Sequence, residues 1–290
     1  METPYKDRFW TSQDGLKLYF RDYQGPADAP SDAVPIICLH GLTRNSRDFA
    51  ELASRVSARH RVLVPDVRGR GMSEYAKDWQ TYSPIQYVAD LQALLAQEGI
   101  DRFIAIGTSM GGLMTMILSA MKPGVIAGAV INDIGPEIDP AGLERIKTYV
   151  GHSRSFSTWL DAARSLEDGG STGFPDYDIN DWIAMAKRTM VVGQNGRIGF
   201  DYDMAIAEPF KQPDNAAPPN MWPMYESLKS GPVLVLKGEL SDLLTDDTLA
   251  KMADCHPDMT SVVVPRVGHA PMLDEPESLA AIDDLLARVG

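Results

Sequence analysis

The chain has 290 residues, 44% of them hydrophobic and 23% charged, and a formal net charge of −13. That length supports one large domain or two smaller ones, and no apolar run approaches the roughly 18 residues that a membrane span requires. The acidic balance argues against nucleic acid and anionic membrane surfaces as partners. Two cysteines, Cys38 and Cys255, are too few for a disulfide framework. The first residues, Met1 to Arg8, mix charges of both signs without an apolar stretch, unlike a secretory signal. The expectation is a soluble, cytoplasmic protein with free thiols that acts on a small molecule.

Arg8 to Tyr23 reads as an antiparallel hairpin, with Asp14-Gly15 as its tight turn and apolar and polar residues alternating after it. Pro26 to Asp32 is a surface loop. Short apolar runs then alternate with helical patterns, as parallel strands joined by crossover helices do. The runs are Val34 to Leu39, Val62 to Val64, Phe103 to Ile106, Ala129 to Ile131, Val233 to Leu236 and Ser261 to Val264. Helices are expected near Ser46 to Ala58, Pro84 to Gln97 and Ser109 to Met121. A final helix carries Leu279, Ile282, Leu285 and Leu286 on one face.

From Gly135 to Gly231 the alternation stops. Amphipathic patterns appear near Gly142 to Val150, Ser157 to Leu166 and Ile179 to Met190, with no parallel-strand run. Trp159, Trp182 and Trp222 fall there with Met185, Met190, Met204, Met221 and Met224. Pro213, Pro218, Pro219 and Pro223 mark a stiff return to the sheet. This segment reads as a helical lid over the C-terminal edge of the sheet. Its aromatic and methionine side chains either form the lid's own core or line a pocket beneath it.

Gly107-Thr108-Ser109-Met110-Gly111 follows one apolar run and opens a helical one. Glycines two before and two after a serine allow a sharp strand-to-helix turn that pushes the hydroxyl outward, at the positive end of the helix. A serine hydroxyl needs a base, usually histidine. Of the five histidines, His269 follows the last parallel strand and so reaches the edge where Ser109 sits, whereas His60 precedes a strand and belongs to the opposite edge. The base needs an acid to hold its tautomer. Asp242 follows the fifth parallel run and gives the order Ser109, Asp242, His269 expected for this turn type, so it is favoured. Asp133, after the fourth run, competes with it, and Glu239 competes more weakly. Acyl transfer also needs donors for an oxyanion. These are expected from the backbone N–H groups of Met110 and Leu42, with His40 bracing the second loop.

The glycine-rich Asp66 to Ser73 stretch lacks the spacing and the Lys-Ser/Thr pair of a phosphate loop and reads as a structural turn. No Cys/His/Asp set has metal-ligand spacing and no dinucleotide fingerprint is present, so neither a metal nor a cofactor is expected.

His40-Gly41, Asp66-x-Arg68-Gly69-x-Gly71-x-Ser73, Gly107-x-Ser109-x-Gly111-Gly112, Gly238-x-x-Ser241-Asp242 and Gly268-His269-Ala270-Pro271 stand in one order and spacing. In this the chain resembles the α/β-hydrolase superfamily over almost its whole length. The resemblance implies an α/β fold: a mostly parallel central sheet with an antiparallel N-terminal hairpin and flanking helices. Residues 1–134 and 231–290 would form the core, with 135–230 inserted as a helical cap. It also implies a cofactor-free Ser-His-Asp hydrolase working through an acyl-enzyme. Haloalkane dehalogenases and epoxide hydrolases carry aspartate where Ser109 stands, which disfavours both. Carbon–carbon hydrolases of meta-cleavage products usually carry tryptophan where Ala270 stands, which weakens that reading. Cofactor-free haloperoxidases and enol-lactonases look similar around Ser109. The leading expectation is a hydrolase of a small-to-medium, largely apolar carboxylic ester or lactone. A meta-cleavage-type hydrolase and a non-catalytic ligand receptor on the same fold are the alternatives.

Overall fold

The computed structural model describes residues 4–28, 30, 33–211 and 219–289. The first three residues, parts of the Pro26 to Asp32 loop, and Pro213 and Pro218 of the expected return crossing lie outside the described residues. The N-terminal hairpin forms as expected: β1 (Lys6–Thr11) and β2 (Lys17–Tyr23) pair antiparallel, with Gly15 at φ +88 in the turn. Beyond it come β3 (Ile36–Leu39), α1 (Ala50–Val56), β4 (Val62–Pro65), α2 (Pro84–Glu98), β5 (Phe103–Thr108), α3 (Met110–Met121) and β6 (Ile126–Asn132). After the insertion follow β10 (Val233–Gly238), α9 (Asp246–Cys255), β11 (Met259–Val264) and α10 (Pro276–Val289). Helix α9 is an element that the apolar pattern did not disclose; only Thr248 and Met252 along it are buried.

The sheet runs β1-β2-β4-β3-β5-β6-β10-β11, and every pairing from β4 to β11 is parallel. Period-two alternation divides the strand side chains between its two faces. Ile37, Leu39, Ala105, Ile131 and Val235 join α2 and α3 in one core, whereas Ile36, Cys38, Ile106, Val130 and Leu236 join α1 and α10 in the other. With helices on both faces, the strands read as continuous apolar runs. Parallel pairing also brings the loops after β3, β4, β5, β6, β10 and β11 to a single edge.

The insertion between β6 and β10 holds α4 (Pro140–Tyr149), α5 (Trp159–Gly170), α6 (Ile179–Thr189), α7 (Glu208–Lys211) and α8 (Trp222–Glu226). It is not wholly helical. β7 (Ser155–Phe156), β8 (Met190–Val192) and β9 (Ile198–Phe200) form a small antiparallel sheet in the order β7-β9-β8. Strands of two or three residues are too short to show an alternation in the sequence. Trp182 and Met185 pack with Ala163 in a small core of the insertion's own, against which Met272 of the main fold also rests. Trp222, Met204, Met221 and Met224 pack instead on the main core.

The insertion is tied to the shared loop edge. Arg47 Nε donates to the Arg188 carbonyl at 2.8 Å, Gly71 N to that of Asp201 at 3.0 Å, and Gly268 N to that of Gly173 at 2.6 Å.

Candidate active site

Ser109 links β5 to α3 with φ 52 and ψ −113, a backbone conformation that non-glycine residues rarely adopt. The glycines around it are required by contact, not by freedom. A Cβ on Gly111 would lie 2.0 Å from the Leu39 carbonyl oxygen, and one on Gly107 would lie 2.5 Å from Gly111 C. One on Gly112 would lie 2.5 Å from the Ile134 side chain. The turn can therefore pack against β3 and β6 only without side chains at these positions. Ser109 N donates to the Asn132 carbonyl at 2.9 Å, which fixes the turn to the end of β6.

His269 comes to Ser109 as expected, with Nε2 2.9 Å from Oγ. Its other nitrogen meets a different acid from the favoured one. Nδ1 lies 2.7 Å from Asp133 Oδ2, and the Asp133 side chain is fully buried. Facing a carboxylate, Nδ1 carries the proton, so Nε2 is free to accept from the serine. Asp133 also accepts from Gly238 N at 2.8 Å and from Ser241 Oγ at 2.6 Å. Its own N–H donates to the Leu236 carbonyl at 2.8 Å.

Asp242 is therefore not the partner of His269. Its carboxylate is taken by Arg145 of α4, through Nε at 2.5 Å and Nη2 at 2.8 Å, and that guanidinium holds it below the usual carboxylate range. The loops after β6 and β10 leave adjacent strands on one edge, so both aspartates satisfy the topological criterion. The choice is made by side-chain direction: Ser241 turns toward Asp133, and the insertion supplies a competing cation for Asp242. Glu239 instead accepts from Arg266 N at 2.7 Å.

Asn132, which no motif in the sequence marks, ties the three loops of the site together. Its Nδ2 donates to Thr108 Oγ1 at 3.0 Å and to the Pro271 carbonyl at 2.8 Å, while its carbonyl holds Ser109 N. A buried asparagine at the end of a parallel strand, next to an aspartate, was the only available signal.

The loop after β3 lies beside the nucleophile turn: a Cβ on Gly41 would stand 3.8 Å from Ser109 Cβ. Neither Leu42 N nor Met110 N donates to another protein group among the described residues. His40 braces this loop as expected. Val67 N donates to its Nε2 at 3.0 Å, so the proton sits on Nδ1, which lies 2.7 Å from the Gly41 carbonyl. Burial pushes the imidazole down to about 4 and keeps it neutral. Arg70, also fully buried, holds the Leu42 carbonyl through Nε at 2.9 Å and the Arg68 carbonyl through Nη1 at 2.7 Å. Its guanidinium lies over Tyr87, 4.9 Å from the ring centre.

The glycine-rich stretch is thus a structural turn. Asp66 accepts from Ser46 N at 2.6 Å and Met72 N at 2.9 Å, and Gly69 and Gly71 have φ +76 and +55. Arg68 is locked between Asp90 and Asp14. No group of three or more His, Cys, Asp or Glu side chains among the described residues could hold a metal ion.

The family model described as "Alpha/beta hydrolase family" matches residues 36–282. The chain is 36% identical, over 258 residues and 87% of each chain, to the 3-hydroxybutyrate-oligomer hydrolase of Cupriavidus necator. It is 25% identical to the 2-(acetamidomethylene)succinate hydrolase of Mesorhizobium japonicum, over 81% of each. Among solved structures, an alpha/beta hydrolase from Novosphingobium aromaticivorans superposes with a TM-score of 0.94 at 56% identity, covering 100% of both chains.

Proposed function

Since the chain belongs to the alpha/beta hydrolase family, we propose that it is a serine hydrolase of short carboxylic esters, with Ser109, His269 and Asp133 as its triad. The observation that carries the reading is the hydrogen-bonded line from Asp133 through His269 to Ser109, at 2.7 and 2.9 Å. Ser109 Oγ attacks the ester carbonyl while its proton passes to His269 Nε2. Asp133 stabilises the imidazolium that results. The oxyanion forms against the N–H groups of Leu42 and Met110, the former held by Arg70 and His40 through its loop. His269 then gives its proton to the departing alcohol, leaving an acyl-enzyme. Water attacks next, losing its proton to the same nitrogen, and the acid is released as Ser109 regains its hydrogen. Residues 135–230 act in this reading as a cap over the site.

The relative that hydrolyses 3-hydroxybutyrate oligomers supports hydroxy-acid esters as the substrate class. A complete triad weighs against the receptor alternative, and Ala270 against the meta-cleavage alternative. The test is release of p-nitrophenol from esters of acetate to octanoate, beside cleavage of the 3-hydroxybutyrate dimer, with Ser109→Ala as control. Release that disappears in the variant supports the reading. A folded wild-type protein that cleaves none of these esters overturns it.

A further inference from the structure

Arg44 lies two residues beyond Leu42 and has no part in the mechanism above. A Cβ on Gly41 would touch Arg44 Cγ at 3.5 Å and Ser109 Cβ at 3.8 Å, so the arginine stem and the nucleophile flank the same glycine. Its Nη2 approaches Met272 Sδ, on the loop that carries His269, at 3.7 Å. Tyr149 and Tyr177 of the insertion stand near enough to influence it electrostatically, although burial raises both phenol pKa values and keeps them neutral. The guanidinium therefore lies between the oxyanion loop, the histidine loop and the insertion.

Asp48 takes Nε at 2.6 Å and Nη2 at 2.9 Å. Nη1 has no hydrogen-bond partner among the described residues and keeps some accessible surface. Only 21% of the side chain is accessible. Burial opposes the charge, and Asp48 is the main influence that favours it. Tyr149, at the end of α4, is the nearby insertion residue with the most accessible surface. It keeps 41% of its surface accessible, and burial raises its phenol pKa.

Holding a charged pair in such a place costs desolvation that an apolar side chain would avoid. Anchoring the loop through Asp48 does not require the remaining N–H groups of Nη1 to be left free. We infer that Arg44 Nη1 binds a free carboxylate of the substrate, and that the enzyme reads acid-bearing esters rather than the largely apolar ones expected from the sequence. This rests on the ester-hydrolase reading above. Asp48 sets the plane of the guanidinium, and Nη1 presents two N–H donors toward the bound acid.

The experiment compares the 3-hydroxybutyrate dimer with its terminal carboxamide, which keeps the scissile ester and removes the charge. Wild-type kcat/KM should favour the acid by about tenfold to a hundredfold, the worth of one charge-assisted contact. That ratio should fall to near one in Arg44→Met and be partly retained in Arg44→Lys. A purely structural role for Arg44 would lower both rates and leave the ratio unmoved. Calorimetric binding of the same two compounds to Ser109→Ala gives the answer without turnover. Tighter binding of the acid that is lost when Arg44→Met is added to Ser109→Ala supports the carboxylate contact, and absence of turnover in wild type would then count against the ester-hydrolase reading alone. Equal binding, or a wild-type ratio that survives in Arg44→Met, overturns it.

Discussion

Replacing each of the two aspartates by asparagine separates the acid that serves the histidine from the one that does not. In Asp133→Asn the side-chain amide must satisfy what the carboxylate now accepts: Gly238 N at 2.8 Å, Ser241 Oγ at 2.6 Å and His269 Nδ1 at 2.7 Å. Its oxygen can keep the backbone donor. The NH2 then occupies the place of Oδ2 and meets Nδ1–H, one donor against another. Relief comes when the imidazole moves its proton to Nε2, and in that tautomer it can no longer accept from Ser109. The expected loss is roughly 10³- to 10⁴-fold in kcat, or about 4–5.5 kcal/mol of transition-state stabilisation, the scale of a tautomer-disabling substitution in a serine triad.

Asp242→Asn removes only the pair with Arg145, whose side chains are 36% and 41% accessible. Screening leaves such a pair worth about 0–1 kcal/mol of stability, so kcat should change by less than about threefold. The assay is steady-state hydrolysis of a p-nitrophenyl ester by both variants, with thermal unfolding to show that each is folded. Equal losses in the two variants, or a larger loss in Asp242→Asn, would refute the assignment of Asp133.

Asn132→Ala should lower kcat about 10- to 100-fold while KM changes little, because it frees the Pro271 carbonyl and Thr108 Oγ1 without touching a substrate group; Michaelis kinetics on one ester check this. Gly111→Ala forces a Cβ to 2.0 Å from the Leu39 carbonyl and should cost at least about 3 kcal/mol, whereas Gly169→Ala, in α5 with nothing within 4 Å, should stabilise by about 0.5–1 kcal/mol. Urea unfolding of the two variants distinguishes these signs. His40 gives a pH signature. Its folded value of about 4 lies below its usual 6.5, so the unfolded chain binds more protons between them, and stability falls as pH drops through that window. The stability of wild type minus that of His40→Asn should therefore drop by about 3 kcal/mol between pH 7 and pH 4, measured by denaturant titration at each pH.

Much of this molecule could be read from its residues because the signals were steric or topological. Gly107, Gly111 and Gly112 announce a turn that tolerates no Cβ, and His269 is placed by following the last parallel strand. The hidden parts depend on side chains meeting across distant elements. Asp133 and Asp242 stand in equivalent loops, and the choice between them is made by Ser241, which turns to Asp133, and by Arg145, 97 residues from Asp242, which occupies the other. Arg70 reaches the Leu42 carbonyl from a turn that reads as simple glycine-rich punctuation. Arg44 is an ordinary basic residue in the sequence and gains its meaning from Asp48, Met272 and the insertion above it. The strands β7, β8 and β9 are too short to carry a period, and α9 buries too little to display one.

The central claim is that Ser109 is a nucleophile activated by His269 held on Asp133. Incubation with an alkyl fluorophosphonate, followed by peptide mass mapping, tests it most directly. A single adduct on the peptide containing Ser109, absent in Ser109→Ala and formed at least about a hundredfold more slowly in Asp133→Asn, is the predicted result. Labelling of another residue, or labelling of Asp133→Asn at the wild-type rate, would contradict it.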